Sequence, residues 1–195
     1  GYAFLKQELV NLTKKYDSHV LCDLGCGEGY YTSGFQAEEK YGFDMSKEAL
    51  KHASKNDPST QYAVASIFRL PLEDASCDTA VTCFAPFAKD EIERVLTQGG
   101  RFFFVSPGPK HLFELKQLIY DTPYENEMKD LETTLVKEEE YFISNTFHCE
   151  KENLISLFKM TPYYHRTRNE DIDKINHQDG MDITAEFLIR VYQKR

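Results

Sequence analysis

The stretch that most constrains the fold of this chain is VLCDLGCGEG, residues 20–29. Its apolar run is interrupted by Asp23 and stops at three glycines, Gly25, Gly27 and Gly29. A short apolar run, glycine breakers and a helix-compatible stretch over residues 30–39 predict a buried strand, a tight turn and a helix. Glycine adopts positive φ at no steric cost and lets a ligand lie against the backbone, while the helix directs unpaired N–H groups at the turn. The sequence therefore predicts a ligand-binding turn.

The spacing of the glycines indicates which ligand to expect. The dinucleotide fingerprint G-x-G-x-x-G, counted from Gly25, requires glycine where the chain has Tyr30. The pattern Asp-x-Gly-x-Gly-x-Gly instead resembles motif I of the class I S-adenosyl-L-methionine (SAM) methyltransferases, with a nucleotide-free turn as the alternative. The next predicted strand, residues 40–43, ends in Asp44. A carboxylate there can accept both hydroxyls of an adenosyl ribose, and a hydrogen bond to a charged group contributes about 1.5–3 kcal/mol.

Strands and helices alternate along most of the chain. After a lead-in helix over residues 3–16, strands are predicted at 20–24, 40–43, 61–64, 77–83 and 101–105, and helices at 30–39, 46–55, 88–96 and 110–120. This alternation predicts a parallel sheet with helices on both faces. A strand over 133–147, a helix over 150–159 and a closing strand over 182–192 then predict an antiparallel edge. The predicted fold is a Rossmann-like α/β class I methyltransferase with a mostly parallel seven-stranded sheet.

Length and composition fit one globular domain, with 195 residues, 41% of them hydrophobic and 28% charged. We predict a lead-in helix over residues 1–18, a SAM-binding core over 19–120 and a substrate-side segment with the closing strands over 121–195. No apolar stretch approaches the ~20 residues that span a bilayer, and no signal peptide is recognisable. We therefore expect a cytoplasmic protein with no membrane partner.

The five cysteines predict neither a disulfide framework nor a metal site. They form no C-x-x-C pair, and their number is odd. Cys22 and Cys26 lie in or beside the predicted buried strand, where buried thiols are the simpler expectation. The acidic run Glu138–Glu140 is interpreted as a solvated surface rather than a metal site.

In open α/β sheets, ligands bind outside the carboxyl ends of the strands. We expect the glycine turn to receive the methionine part of SAM and Asp44 to bind the ribose. Met45 and Ile67 are expected to sandwich the adenine, and Ser66 to bind its polar edge; ordinary packing remains the alternative for each of these three side chains.

The transferred methyl group sits on a sulfonium cation, and aromatic faces stabilise cations within ~6 Å. The candidates for this contact are Tyr2, Tyr30, Tyr31 and Phe84. Glu28 begins the predicted helix, where the dipole favours a carboxylate, and a role near the ammonium group of the ligand is equally open. His111 follows the turn after strand 101–105 and is either a site residue or an ordinary surface or packing histidine.

A narrower resemblance rests on stretches spread over nearly the whole chain: residues 23–32, 42–47, 64–66, 69–72, 85–86, 106–112, 114–116, 118–120 and 160–162. Together they are similar to the bacterial large-subunit ribosomal RNA guanine-N1 methyltransferases. The most specific parts are Pro-Gly-Pro-Lys-His-Leu, residues 107–112, and Met-Thr-Pro, residues 160–162. The resemblance implies methylation of N1 of one guanine in a ribosomal RNA hairpin. It also implies SAM contacts by Tyr2, Gly27, Glu28 and His111.

The predicted cofactor-binding residues are therefore Tyr2, Asp23, Gly25, Gly27, Glu28, Gly29, Asp44, Met45, Ser66, Ile67, Phe84, Pro86 and His111. The family usually carries an N-terminal four-cysteine zinc module thought to help bind RNA, and we expect this chain, which begins at Gly1, to lack it. The net charge of −9 repels polyanions at long range, which fits an RNA-binding module elsewhere and argues against DNA as a partner. The sequence leaves the oligomeric state open.

We expect direct methyl transfer, with the enzyme mainly positioning the two reactants. Phe84 and the Pro86 loop are placed to stack an unpaired base. An aromatic–basic group could also meet RNA, with a plain surface loop as the alternative: Tyr163, Tyr164, His165, Arg166 and Arg168. No general base is assigned. A small-molecule methyltransferase, which the acidity favours, and a catalytically silent SAM-binding protein remain competing hypotheses.

Overall fold

The computed structural model describes residues 1–161 and 163–195, and the side chain of His165 also lies outside the described part. Within these residues the chain forms six α-helices: α1 (Ala3–Lys15), α2 (Lys47–Asn56), α3 (Lys89–Val95), α4 (Phe113–Ile119), α5 (Lys151–Lys159) and α6 (Asn169–Asn176). The strands are β1 (Val20–Leu24), β2 (Glu39–Asp44), β3 (Gln61–Val64), β4 (Cys77–Cys83), β5 (Leu96–Pro107), β6 (Val136–Glu150) and β7 (Gly180–Gln193).

The seven strands form one sheet in the order β3-β2-β1-β4-β5-β7-β6. The pairs from β3 to β5 are parallel, and β5, β7 and β6 form an antiparallel edge. The chain proceeds from β1 outward to β2 and β3 and then returns to β4 on the other side of β1, which creates a switch point between β1 and β4. The predicted Rossmann-like fold with a mostly parallel sheet is confirmed.

The register of the central strands separates the two faces of the sheet, because successive side chains point to opposite faces. Cys22, Ala80 and Phe102 lie in register on β1, β4 and β5. They share one buried core with Ile92 and Val95 of α3. The next register row, on the opposite face, is Asp23, Val81 and Phe103. All of these side chains are buried, and burying one large apolar side chain contributes about 1.5–3 kcal/mol.

The chain divides into two compact units. The sheet unit comprises Tyr2–Ser106, Asp130–Tyr141 and Leu188–Arg195, and the C-terminal unit comprises Gly1, Pro107–Lys129 and Phe142–Phe187. The C-terminal unit has its own core, in which Leu115, Phe158 and Ile175 are buried and α6 packs against α4 and α5. The division into segments 1–18, 19–120 and 121–195 of one methyltransferase domain stays a prediction.

The predicted helix over residues 30–39 is wrong. The structure has a 3₁₀ turn, Thr32–Gly34, followed by extended chain that leads into β2. The hydroxyl of Thr32 donates to the buried carboxylate of Asp23 at 2.6 Å, and Phe35 is buried with ψ of 140°. Threonine, serine and glycine are also weak helix formers. The glycine turn is therefore not followed directly by an α-helix, and Glu28 does not begin one.

Two other boundaries differ from the prediction. The helix predicted over residues 88–96 spans Lys89–Val95, and β5 begins earlier than predicted, at Leu96, so that Gly99 and Gly100 lie inside it and bond with the backbone of Lys194. The helix predicted over residues 110–120 begins only at Phe113, because Leu112 has φ of +53°. Helix α6 was not predicted at all.

The acidic run Glu138–Glu140 is paired rather than freely solvated. Its three carboxylates lie on β6 and form ion pairs at 2.6–2.9 Å with Lys15, Arg101 and Arg190. Arg190 is only 4% exposed in its side chain. The run therefore fastens residues on β6 to α1, β5 and β7.

None of the helices in the described part of the chain combines the length and the apolarity that crossing a bilayer demands.

Candidate functional site

The glycine turn follows β1 directly, and all three of its glycines have positive φ. A Cβ atom on Gly25 would lie 2.8 Å from Cβ of Ala85, and one on Gly29 would lie 2.6 Å from the hydroxyl of Tyr62. A Cβ atom on Gly27 would meet nothing within 4 Å. Gly25 and Gly29 are thus fixed by packing inside the protein, whereas Gly27 borders open space.

Asp44 lies at the carboxyl end of β2, directly beside this open space. Its Oδ2 accepts the backbone N–H of Gly27 at 2.9 Å, and its Oδ1 accepts that of Ser46 at 2.8 Å. A carboxylate has about four acceptor positions, so two remain for other donors. The side chain is partly exposed. A carboxylate held in this way fits two hydroxyls of a ribose.

Asp23 is buried, with 2% of its surface exposed, and supports the turn from within the sheet unit. Burial raises the pKa of the Asp23 carboxyl to about 7; the hydrogen bond from Thr32 lowers it and the charge of Asp44 raises it further. The sequence placed Asp23 among the cofactor contacts. The structure shows its Oδ2 occupied by the Thr32 hydroxyl.

Three of the four aromatic candidates form a group. The ring centroids of Tyr30 and Tyr31 are 5.0 Å apart, and those of Tyr31 and Phe84 are 6.2 Å apart, both in edge-to-face geometry. Phe84 has φ of +63°, its N–H donates to the carbonyl of Val105, and it is 43% exposed. A bulky residue in the left-handed region costs about 1–3 kcal/mol, and such strain clusters at functional sites.

The residues predicted to hold adenine follow β2 and β3. Met45 is 69% exposed, and Ser66 accepts the N–H of Phe68 at its hydroxyl oxygen. Ile67 is partly buried and packs against the core of the sheet unit, as the packing alternative expects. Phe68, 62% exposed, is a further apolar side chain at this strand end that sequence analysis missed. Its position two residues after Ser66 was the available signal.

Tyr2, Pro86 and His111 are the remaining predicted site residues. Tyr2 precedes α1, its carbonyl accepts from the first turn of that helix, and Pro86 is exposed after β4. His111 belongs to the C-terminal unit. It is buried, its Nδ1 accepts the N–H of Glu186 at 3.2 Å, and its ring centroid lies 4.8 Å from that of Phe187. Burial lowers the pKa of His111 to about 4, so its imidazole is neutral at pH 7.

Within the described residues, 1–161 and 163–195, no group of three or more His, Cys, Asp or Glu side chains is arranged to bind a metal ion. The five cysteines are free.

Comparison with known proteins gives consistent matches. Residues 22–104 match the family described as a methyltransferase domain. The chain is 28% identical over 210 residues to Bacillus subtilis YxjB, a protein named as a 23S rRNA (guanine-N1) methyltransferase; the alignment covers 96% of this chain and 71% of YxjB. It is 37% identical over 98 residues to the 23S rRNA (guanine(748)-N1)-methyltransferase of Streptomyces fradiae, covering 48% of this chain and 35% of that protein.

A solved structure described as a Bacillus halodurans methyltransferase superposes with a TM-score of 0.67 at 15% identity. It covers 96% of this chain and 99% of its own, and at this identity it supports the fold alone. The sheet order, the Asp-x-Gly-x-Gly-x-Gly turn and the domain match agree with one another. Together they support a methyltransferase with S-adenosyl-L-methionine as its cofactor, on the Rossmann-like fold of the methyltransferases.

Proposed function

We propose that this methyltransferase modifies N1 of a guanine in large-subunit ribosomal RNA. The observation that carries the proposal is the alignment with YxjB along 96% of the chain, because it extends well beyond the cofactor-binding half. The Streptomyces fradiae relative, which carries the same specificity in its name, supports it independently over 48% of the chain. The proposed substrate places the enzyme in the cytoplasm.

The residues at the glycine turn fit the cofactor. We assign the ribose hydroxyls to Asp44, whose carboxylate retains acceptor positions beside the open space at Gly27. The methionine part lies along the turn, with Tyr2, Asp23, Gly25, Gly27, Glu28 and Gly29 as its proposed surroundings. Met45, Ser66 and Ile67 surround the adenine in this assignment, and the exposed Met45 supplies its open face.

When bound, SAM would supply the methyl group. N1 of guanine, after losing its proton to solvent, would form the N–C bond in line as the C–S bond breaks and S-adenosyl-L-homocysteine leaves. The protein holds the methyl donor and the guanine in attack geometry, which can lower the barrier by roughly 7–11 kcal/mol. Phe84 and Pro86 stack the target base in this proposal; the exposed ring of Phe84 and its left-handed backbone support this role. The π faces of Tyr31 and Phe84 favour a cation at the transfer point.

A small-molecule substrate is the second candidate, because a net charge of −9 provides no long-range attraction for RNA. A catalytically silent SAM-binding protein is the third. Turnover separates the silent protein from both enzymes, and the identity of the methylated product separates the two enzymes.

Nucleoside mass spectrometry tests the proposal. Unmodified large-subunit RNA, both naked and in assembling particles, is incubated with the protein and SAM. We expect new 1-methylguanosine. The variant Asp44→Ala should form little product, whereas Glu48→Ala, which removes an exposed carboxylate from neighbouring α2, should act like wild type. A protein that binds SAM but forms no 1-methylguanosine on either RNA would overturn the assignment of the substrate.

A further inference from the structure

The C-terminal unit contains a completely buried lysine. Lys116 of α4 has no exposed surface, and its Nζ donates to the carbonyl of Tyr124 at 2.9 Å and to Oδ1 of Asn126 at 2.8 Å. The same nitrogen lies 4.4 Å from the ring centroid of Tyr124 and 4.7 Å from that of Tyr163. Burying a cation is costly unless it is hydrogen-bonded or placed against π faces, and Lys116 has both. The contacts of Lys116 therefore indicate a specific structural role.

Lys116 holds in place a segment without regular secondary structure. Residues 121–129 form neither helix nor strand. Asn126 nevertheless donates from its backbone to the carbonyl of Pro109 at 3.0 Å and from its side chain to the carbonyl of Gly108 at 2.8 Å. The hydroxyl of Tyr163 donates to Asn126 at 2.9 Å. Together with the two bonds from Lys116, these contacts fix the backbone on either side of position 125.

The residue held by this arrangement presents an aromatic ring to solvent. Tyr124 is 53% exposed, although the Lys116 ammonium lies against its ring and the Tyr120 ring lies 5.6 Å away. Burial raises the pKa of the Tyr124 phenol, the hydroxyl of Tyr120 acts in the same direction, and the charge of Arg166 lowers it. Arg166 is exposed and ends the 3₁₀ turn that follows Tyr163, where its N–H donates to the carbonyl of Tyr163 at 2.9 Å. Tyr163 in turn contacts Asn126 and the Lys116 ammonium, so Arg166 lies on the segment that packs beside Tyr124.

We propose that Tyr124 is a stacking platform for an unpaired RNA base, that Arg166 binds the adjoining phosphate and that Lys116 is the positioning residue beneath the platform. This inference rests on the proposed RNA substrate and names a place where that RNA is held. Proteins bind single-stranded RNA by stacking bases on fixed aromatic rings beside a cation. Stacking needs little net charge, so it suits a chain with 32 acidic and 23 basic residues.

A tryptophan reporter tests the platform directly, since the chain has no tryptophan. In the Tyr124→Trp variant, the single indole should lose fluorescence when a short single-stranded RNA of mixed sequence is added, because bases stacked on it quench its emission. The matched control is Phe142→Trp, since Phe142 belongs to the same unit and is also 53% exposed. Equal quenching of both reporters, or none at position 124 with an RNA that binds, would overturn the proposal.

Binding measurements separate this inference from the proposed function. Tyr124→Ala should weaken RNA binding about 5- to 150-fold, the range for loss of one stacked base, while SAM affinity stays unchanged and Tyr124→Phe retains binding. If the wild-type protein methylates and binds RNA but Tyr124→Ala binds it equally well, the platform is wrong and the function stands. If the wild-type protein neither binds nor methylates RNA, the proposed function fails and the platform fails with it.

Discussion

At position 44 a carboxylate already accepts two backbone N–H groups, from Gly27 and Ser46. It therefore holds the glycine turn against β2 and, in the proposed assignment, also keeps acceptor positions for the ribose. The two roles are separable by substitution. Asparagine retains an acceptor for the turn but loses the charge, and alanine removes both.

We expect Asp44→Ala to weaken SAM binding at least tenfold, measured by isothermal titration, because a hydrogen bond to a charged group contributes about 1.5–3 kcal/mol. Asp44→Asn should give an intermediate loss of affinity with a smaller change in stability. Glu48→Ala, on the exposed face of α2, serves as the control and should bind like wild type. Wild-type affinity in Asp44→Ala would show that another group binds the ribose.

Asp23 gives a pH dependence of known sign. Its pKa is raised from an ordinary value of 3.8 to about 7 by burial, so between these values the folded chain retains a proton that the unfolded chain has released. Stability must then fall as pH rises through this window. Asp23→Asn is neutral at every pH, so its stability relative to wild type should increase from about pH 4 to pH 7 by on the order of 1 kcal/mol per pH unit. Urea unfolding of both proteins measures the difference; a constant difference across the window would mean that the folded Asp23 is ionised throughout.

At the scale of elements, the five residues of the glycine turn include two packed positions, Gly25 and Gly29, and one that borders open space, Gly27. Gly27→Ala and Gly29→Ala both place a side chain at positive φ, at a cost of about 1–2 kcal/mol each. Only the alanine at position 29 also collides with the hydroxyl of Tyr62. We expect Gly29→Ala to lower the thermal stability more than Gly27→Ala does. Gly27→Ala should instead lose more SAM affinity relative to the stability that it loses. Equal effects of the two variants on both measurements would contradict the assignment of open space at Gly27 to the cofactor.

The elements that the sequence predicted well are those whose causes are local. β1 and β3 have the predicted limits, and α2 begins where the Ser46 hydroxyl accepts the N–H of Ala49, as a cap should. The helix predicted after the turn failed because Thr32 bonds to Asp23 across nine residues, a contact that no local pattern reveals. Helix α6 was missed because residues 169–176 contain only two apolar side chains, and Ile175 stabilises it through the core of the C-terminal unit.

In the candidate site, too, the features with local causes could be predicted and those with distant partners could not. That Asp44 lies beside the glycine turn follows from sequence position alone, because the carboxyl ends of adjacent parallel strands meet at one edge. The left-handed backbone of Phe84 and the buried Lys116 could not be predicted, since each depends on partners far along the chain. The sequence predicts one aromatic–basic group over residues 163–168. The structure instead connects Tyr163 with Asn126, and the side chain of His165 lies outside the described part.

For the whole molecule, the charge balance sets how RNA binding should respond to salt. Each phosphate contact contributes about −0.7 to the slope of log K against log salt concentration for single strands. A chain of net charge −9 that binds RNA through stacking and a few cations should show a slope no steeper than about −2. Filter binding between about 50 and 200 mM salt measures it.

The contribution of Arg166 to the salt dependence of RNA binding can be measured separately by substitution. Arg166→Gln should make the slope shallower by about 0.7, the value for one phosphate, and Lys151→Gln, which removes an exposed cation paired with Asp179, should leave it unchanged. Tyr124→Ala should weaken binding equally at all salt concentrations, because stacking releases no counterions. A wild-type slope near −4 or steeper would show that a basic surface dominates RNA binding. The acidic balance of the chain would then be offset by cations gathered on one face, and the platform at Tyr124 would be secondary to them.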